Sequence, residues 1–221
     1  MLRVLPRVVP EAPGRPELAG GDHPMRKVTR QIAFERDGWT PERAGKVLEL
    51  FDSLAPTWDE RDGGGRGDAL RLVLGDALDR GGPMPPGWCL EVGCGTGAAT
   101  GQLAPRFAGV VGLDLSYEML ARASGAPSGR LQADGANLPV HSAAAAAVAL
   151  VNAFLFPEEV DRVLGPAGAV IWVNTLGDRT PIHLPADDVL AALPGDWEGV
   201  ASEAGWGTWA VLRRVGSAGL T

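Results

Sequence analysis

The sequence predicts an α/β protein: a doubly wound sheet of seven strands, mostly parallel, with an antiparallel hairpin at its carboxyl end. Three observations predict it. Short apolar runs at 88–92, 110–114, 130–133, 147–151 and 168–173 alternate with helix-like patterns at about 97–107, 116–123, 157–164 and 185–193. Such alternation implies a parallel sheet wrapped by helices on both faces. The first run breaks into Gly93-Cys94-Gly95-Thr96-Gly97, a glycine loop of the kind that carries a buried strand into a helix. The last two strand-like runs, 197–204 and 207–214, are joined only by Gly205-Trp206, too short a link for a parallel crossover.

The elements follow in order. Residues 1–25 are rich in Pro, Gly and Arg without any period, and disorder is expected there, with Met25 as a candidate natural start. Thr40-Pro41-Glu42-Arg43 has the form of a helix start, Thr as cap and Pro in the first turn. Val47, Leu48, Phe51, Leu54 and Ala55 continue it as an apolar stripe. After the break at Asp62-Gly63-Gly64-Gly65, Leu70, Val73, Leu74, Ala77 and Leu78 fall on one face of a second helix, which Gly81-Gly82-Pro83 ends. Residues 26–86 are therefore expected to form a helical cap, 87–215 the core and 216–221 a flexible tail. The alanines at 143–147 read as the approach to a strand, against their intrinsic helix preference.

Composition narrows the function classes. The chain has 221 residues, 45% hydrophobic and 21% charged, enough for one large domain with a real core. No apolar run approaches the ~18 residues of a membrane span and no signal-peptide core stands near the start, so a cytoplasmic protein without a membrane partner is expected. A net charge of −7 argues against nucleic acid as a partner. Cys89 and Cys94 have a spacing that suits neither a zinc site nor a disulfide framework. Two buried, reduced thiols and no metal are expected.

The glycine loop by itself fits two ligands. Gly93-x-Gly95-x-x-Ala98, with Asp114 nineteen residues past Gly95, matches the relaxed dinucleotide fingerprint. Glu91-x-Gly93-x-Gly95-x-Gly97 instead resembles the first motif of class I S-adenosylmethionine-dependent methyltransferases. The segments that follow resemble the same family in order. Val111-Gly112-Leu113-Asp114-Leu115-Ser116, then Met119-Leu120, resembles its second segment. Ala133-Asp134-Gly135 with Asn137-Leu138-Pro139 resembles its third. Asn152-Ala153-Phe154 stands after the next strand, Leu164-Gly165-Pro166-Ala167-Gly168 resembles the usual turn before the fifth, and the hairpin matches the antiparallel end. Upstream, Phe51 to Asp59 resembles the amino-terminal segment of small-molecule methyltransferases. The resemblance spans roughly 45 to 214. Two departures accompany it: alanines stand where many relatives carry an acid before the fourth strand, and Gly135 is smaller than usual.

The resemblance implies a Rossmann-like fold, S-adenosylmethionine as cofactor and a set of contacts. Asp114 would accept from both ribose hydroxyls, with Leu115 and Met119 beside it. Asp134 would accept from the adenine amino group while the backbone at Gly135 reaches the ring. Asn152 would lie beside the methionine part and Trp58 would cover the cofactor. The cofactor has no phosphate, and the loop has no P-loop lysine. Backbone N–H groups around Gly93, Cys94, Gly95, Thr96 and Gly97 suit its carboxylate, a carbonyl there suits its ammonium, and Glu91 beneath the loop can brace it or offset positive charge. Each acid has a plainer alternative: Glu91 as a solvated strand-end acid, Asp114 as a helix cap, Asp134 as half of an Asp-Gly turn.

The implied reaction is in-line displacement of a methyl group from a sulfonium, helped by a water-poor pocket and by alignment of donor and acceptor. A base is needed only for an acceptor that arrives protonated. His183, in Thr180-Pro181-Ile182-His183, is the best base candidate, with an idle loop histidine as the alternative; His141 is weaker. Trp58, Phe154 and Asn174 could line the acceptor pocket. Trp39, Trp197, Trp206 and Trp209 are expected to pack at surfaces or in the hairpin, and Asp178-Arg179 to be an exposed pair. The site after the fourth strand reads Asn152-Ala153-Phe154-Leu155, without the prolines of amino-directed base methyltransferases. There is no room for the barrel of protein arginine methyltransferases. A small-molecule acceptor remains by elimination. The competing functions are a non-catalytic S-adenosylmethionine-binding protein and an NAD(P)-binding oxidoreductase.

Overall fold

A computed structural model describes residues 1–11, 13–14, 23–62, 66–124 and 127–216. Eight strands form one sheet: β1 (Leu2–Val4), β2 (Trp88–Val92), β3 (Gly109–Asp114), β4 (Gly129–Gln132), β5 (Ala145–Val151), β6 (Leu164–Asn174), β7 (Trp197–Ala204) and β8 (Gly207–Arg214), in the spatial order β1-β7-β8-β6-β5-β2-β3-β4. Strands β2 to β6 pair in parallel; β8 runs antiparallel to both β6 and β7. The helices are α1 (Pro24–Phe34), α2 (Pro41–Leu54), α3 (Arg66–Arg80), α4 (Thr100–Leu103), α5 (Tyr117–Ala121), α6 (Pro157–Val163) and α7 (Ala186–Ala192). Chain order reverses about β2, which pairs with β3 on one side and β5 on the other. Ligands of open α/β sheets bind at the carboxyl ends of the strands flanking such a point.

Both faces of the sheet are buried. One carries Leu90, Val92, Val148, Leu150, Val170 and Trp172; the other carries Cys89, Ala147, Ala149, Ile171 and Val173 against Val73, Leu74 and Ala77 of α3. Burial on both sides explains why the central strands read as continuous apolar runs. It also explains why the alanine tract joins β5: with strands on either side its small side chains let the covering layers approach, and tertiary packing overrides helix propensity.

Several expectations are corrected. The sheet has eight strands, not seven, because Leu2–Val4, expected to be disordered, pairs in parallel with Gly199–Ala201. That pairing satisfies backbone groups that β7 would otherwise expose at a sheet edge. Residues 12 and 15–22 of the expected disordered stretch lie outside the described residues, as do 217–221 of the expected tail. α1 had no sequence signal strong enough to announce it; it starts on His23, whose Nδ1 accepts from the Met25 N–H at 3.2 Å. The helix expected over 97–107 shrinks to α4 and a 3-10 turn at Ala104–Arg106, with Pro105 in the turn. A proline lacks the N–H needed to continue an α-helix. β6 begins at Leu164, within the expected turn before the strand. α2 starts as expected: the Thr40 hydroxyl accepts from Arg43 N–H at 3.2 Å, with Pro41 in the first turn.

Candidate functional site

A cavity of about 670 Å³ opens at the carboxyl ends of β2, β3 and β5, roofed by α1, α2 and the turns that follow α2. Its size lies within the range of small-molecule and cofactor sites. Trp58, Glu91, Gly93, Cys94, Gly95, Thr96, Asp114, Leu115, Met119, Asp134, Gly135 and Asn152 all line it. Gly97, at φ +80°, shapes the same loop without appearing in the lining.

The loop is held from beneath by β3. Gly93 and Cys94 both donate to the Leu113 carbonyl, at 2.8 and 3.1 Å. Gly95 N–H donates to Asp114 Oδ2 at 2.7 Å, and Asp114 Oδ1 accepts from Ser116 N–H at 2.8 Å. Gly97 N–H donates to the Cys94 carbonyl at 2.9 Å. The N–H groups of Gly93, Cys94, Gly95 and Gly97 are thus committed inside the protein, where the sequence reading offered them to a ligand carboxylate. Gly93 also has φ +71°, and a Cβ there would stand 2.7 Å from the Ala153 Cβ. The loop therefore excludes any side chain at Gly93 on two counts, conformation and space.

Burial raises the Asp114 carboxyl above the usual range, against the pull of N–H groups at Ser116, Gly95 and Leu115. Oδ2 accepts from Gly95 and Oδ1 from Ser116, and the residue also lines the cavity. Glu91 is 2% exposed and takes a hydrogen bond from the Thr100 hydroxyl. Burial pushes it up to about 7, with the Asp114 charge adding to the rise and Thr100 opposing it. A solvated strand-end acid is excluded by that burial. Cys89 and Cys94 are free and buried, and burial raises both thiols, so they stay protonated.

Asn152 adopts φ +52°, a left-handed angle that Asn tolerates better than most residues. Its side chain is bound to the segment after β6: Nδ2 donates to Thr175 Oγ1 and Oδ1 accepts from Thr175 N–H, both at 2.9 Å. Asn174 does not line the cavity. It is buried, donating from Nδ2 to the Ile182 carbonyl at 2.9 Å and accepting from Trp172 Nε1 at 3.1 Å, and so shapes the loop beyond β6. Phe154 does line the cavity.

The cap reaches the loops through three side chains, Trp39, Asp52 and Asp59. Trp39, expected at a surface, lines the cavity and donates from Nε1 to both Asp134 oxygens at 3.0 Å. Its ring stands 5.9 Å from that of Phe154 and 5.3 Å from that of Phe156. A Cβ at Gly135 would fall 2.6 Å from the Phe156 ring, which accounts for the small residue there. The Thr96 hydroxyl donates to Asp59 at 2.7 Å and the Ser116 hydroxyl to Asp52 at 2.5 Å. Each of the three glycine- or acid-bearing segments thus carries one bond from the cap. None of the three links had a visible signal in the sequence. Trp58 packs edge-on to Phe51 at 5.8 Å. Trp197 and Trp209 pack in the hairpin region as expected, Trp209 donating to Asp76 at 2.7 Å.

His183 does not line the cavity. Its Nδ1 lies 3.5 Å from Arg26 Nη1, and burial beside that cation depresses its pKa to about 4. His141 is exposed and outside the lining.

Residues 90–171 match the family model described as the methyltransferase domain. The sequence has no match among the curated proteins. Among solved structures, DhpI in complex with SAH superposes with a TM-score of 0.62 at 20% identity, covering 77% of this chain and 96% of its own. A SAM-dependent methyltransferase from Aquifex aeolicus superposes with a TM-score of 0.56 at 16% identity, covering 72% and 96%. A chain of the Haloferax volcanii complex between the Trm112 methyltransferase activator and a candidate methyltransferase aligns at 26% identity with a TM-score of 0.47, over 56% of this chain and 59% of its own. Residues 90–171 are thus similar to a methyltransferase domain, and the sheet has the Rossmann-like fold of these solved structures.

Proposed function

We propose that the protein binds S-adenosylmethionine and transfers its methyl group to a small-molecule acceptor, with 87–215 as the catalytic core and 26–86 as the cap. The observation that carries this reading is Asp114. Its carboxylate anchors the glycine loop through Gly95 and also lines the cavity, where its two oxygens can accept from the two hydroxyls of a ribose diol. When bound, the cofactor would supply an electrophilic methyl group on a sulfonium.

The chain's own residues supply the rest. Asp134, held by Trp39 and by Ala136 N–H at 2.9 Å, has capacity left to accept from an adenine amino group. Leu115 and Met119 line the cavity near Asp114 and offer apolar contact. Glu91, ionised when a positive charge lies above it, offsets the ammonium and sulfonium. The cavity contains no lysine or arginine among the described residues that line it, so nothing there competes with the positive donor. The cap excludes water, which favours a transfer in which charge is dispersed.

Calorimetry with S-adenosylhomocysteine and with NAD tests the reading on the full chain. Binding of S-adenosylhomocysteine and none of NAD is expected; tight binding of NAD alone would replace it with an oxidoreductase. A screen of small acceptors with radiolabelled methyl donor then separates an enzyme from a non-catalytic binder.

A further inference from the structure

We infer that the acceptor half of the cavity takes an uncharged, largely apolar small molecule. The inference rests on the reading above and concerns the wall opposite the cofactor loops. That wall is made of Met25 on α1, Val47, Leu50, Phe51 and Leu54 on α2, and Ile182 beyond β6. Beside Met25, His23 also lines the cavity, its Nδ1 accepting from Met25 N–H at 3.2 Å; the charged side chains otherwise lining it are Asp59, Glu91, Asp114 and Asp134, all acids.

Their placement decides which charge an acceptor can carry. An anion entering this cavity would lose hydration, find no lysine or arginine among the lining residues, and meet four carboxyl groups. A cation would gain little from the acids. Asp59 is bound to Thr96, Asp114 to Gly95 and Ser116, Asp134 to Trp39, and Glu91 lies under the loop that receives the positive donor. An acceptor cation would share the cavity with that donor's sulfonium and be repelled by it. A neutral molecule meets neither penalty and gains from burial against six apolar side chains.

Two groups bear on an anion: His23, which lines the cavity with its Nδ1 already accepting from Met25 N–H, and Arg26 on α1. Arg26 is the permanent cation. Its Nε and Nη2 are buried with no hydrogen-bond partner, and its Nη1 faces His183. It does not line the cavity. The guanidinium therefore stands behind the wall and not in it, and an anionic acceptor would have to draw it through.

The test uses two probes of one shape and different charge, 2-naphthol and 2-naphthoate, titrated at neutral pH into the full chain saturated with S-adenosylhomocysteine. The neutral probe is expected to bind at least about 10-fold more tightly, which corresponds to about 1.4 kcal/mol. Leu50→Arg, which puts a cation in the wall, should narrow or reverse the difference. Equal or tighter binding of 2-naphthoate overturns the inference, and loss of that binding in Arg26→Gln would show Arg26 to be an anion clamp. Failure of both probes to bind also overturns it. If S-adenosylhomocysteine itself does not bind, the cofactor reading falls first; if it binds and the probes behave otherwise than expected, only the acceptor class is wrong.

Discussion

The wall formed by β2, β3 and β4 meets the cavity with backbone and carboxylates, whereas the wall formed by α1 and α2 meets it with methyl and ring carbons. On the first wall positions are fixed by hydrogen bonds of 2.7 to 3.1 Å that tie the glycine loop to Leu113 and Asp114. On the second they are fixed by packing, and among the described residues Trp39, Asp52 and Asp59 reach across to the loops after β2, β3 and β4. Hydrogen bonds are directional and leave residue-specific traces; apolar packing tolerates many sequences of similar volume. The loop wall is therefore specified by identity and the cap wall by shape.

The sharpest way to break that contrast is within the loop itself. Gly93→Val is expected to abolish S-adenosylhomocysteine binding in calorimetry and to cost about 3 kcal/mol of stability, since it combines a left-handed angle with a clash on Ala153. Gly95→Ala has a similar angle, φ +53°, but open space, and should cost only about 1 kcal/mol. Equal effects in the two variants would mean that space around the loop is not what matters.

Asp114→Ala removes the acceptor for Gly95 and Ser116 as well as the proposed ribose contact. Affinity for S-adenosylhomocysteine should fall about 10- to 100-fold. Unchanged affinity would refute the ribose role. Trp39→Phe keeps the ring packing and loses the N–H to Asp134. The KM for S-adenosylmethionine should rise about 3- to 10-fold with kcat nearly constant. A drop in kcat with constant KM would place Trp39 on the acceptor side instead.

The pH dependence follows from Glu91. Its pKa is raised by burial from 4.5 to about 7, so between those values the folded state binds more protons than the unfolded one. Glu91 therefore makes stability without ligand fall as pH rises through that window, against His183, whose depressed pKa makes it rise between about 4 and 6.5. Glu91→Gln should remove the falling contribution, so that stability in thermal melts rises more with pH than in the parent; an unchanged pH dependence would refute the Glu91 contribution. The smallest effect is expected at His183. His183→Ala should change kcat by no more than about 2-fold, whereas losing a general base would cost about 100-fold or more. The larger loss would restore His183 as the base despite its distance from the cavity wall.

Much of the loop wall was legible in the sequence because each feature leaves a local trace. A glycine at 93 marks a strained, crowded turn, an acid at 114 marks the end of β3, and Asn152 marks a left-handed exit from β5. What was not legible depends on partners far away in the chain. The Trp39–Asp134 bond joins residues 95 positions apart, and no period or motif points from one to the other. His183 stood at a plausible position after β6, but whether a loop side chain faces the cavity or Arg26 is set by how α1 packs. The amino-terminal residues lacked a period because a three-residue strand is too short to show one, and Leu2–Val4 is held by the edge it pairs with.

The sequence alone determined the alternation of strands and helices, the antiparallel end and the order of Glu91, Gly93, Asp114, Asp134 and Asn152 behind successive strands. These depend on local periodicity and turn chemistry, which neighbouring residues decide. Only the tertiary structure decided which loop N–H groups are already spent, that Glu91 is buried enough to hold its proton near neutral pH, and that an apolar cap faces Glu91, Asp114 and Asp134 across one cavity. Those properties arise from desolvation and from contacts between distant segments, and they exist only once the chain has folded.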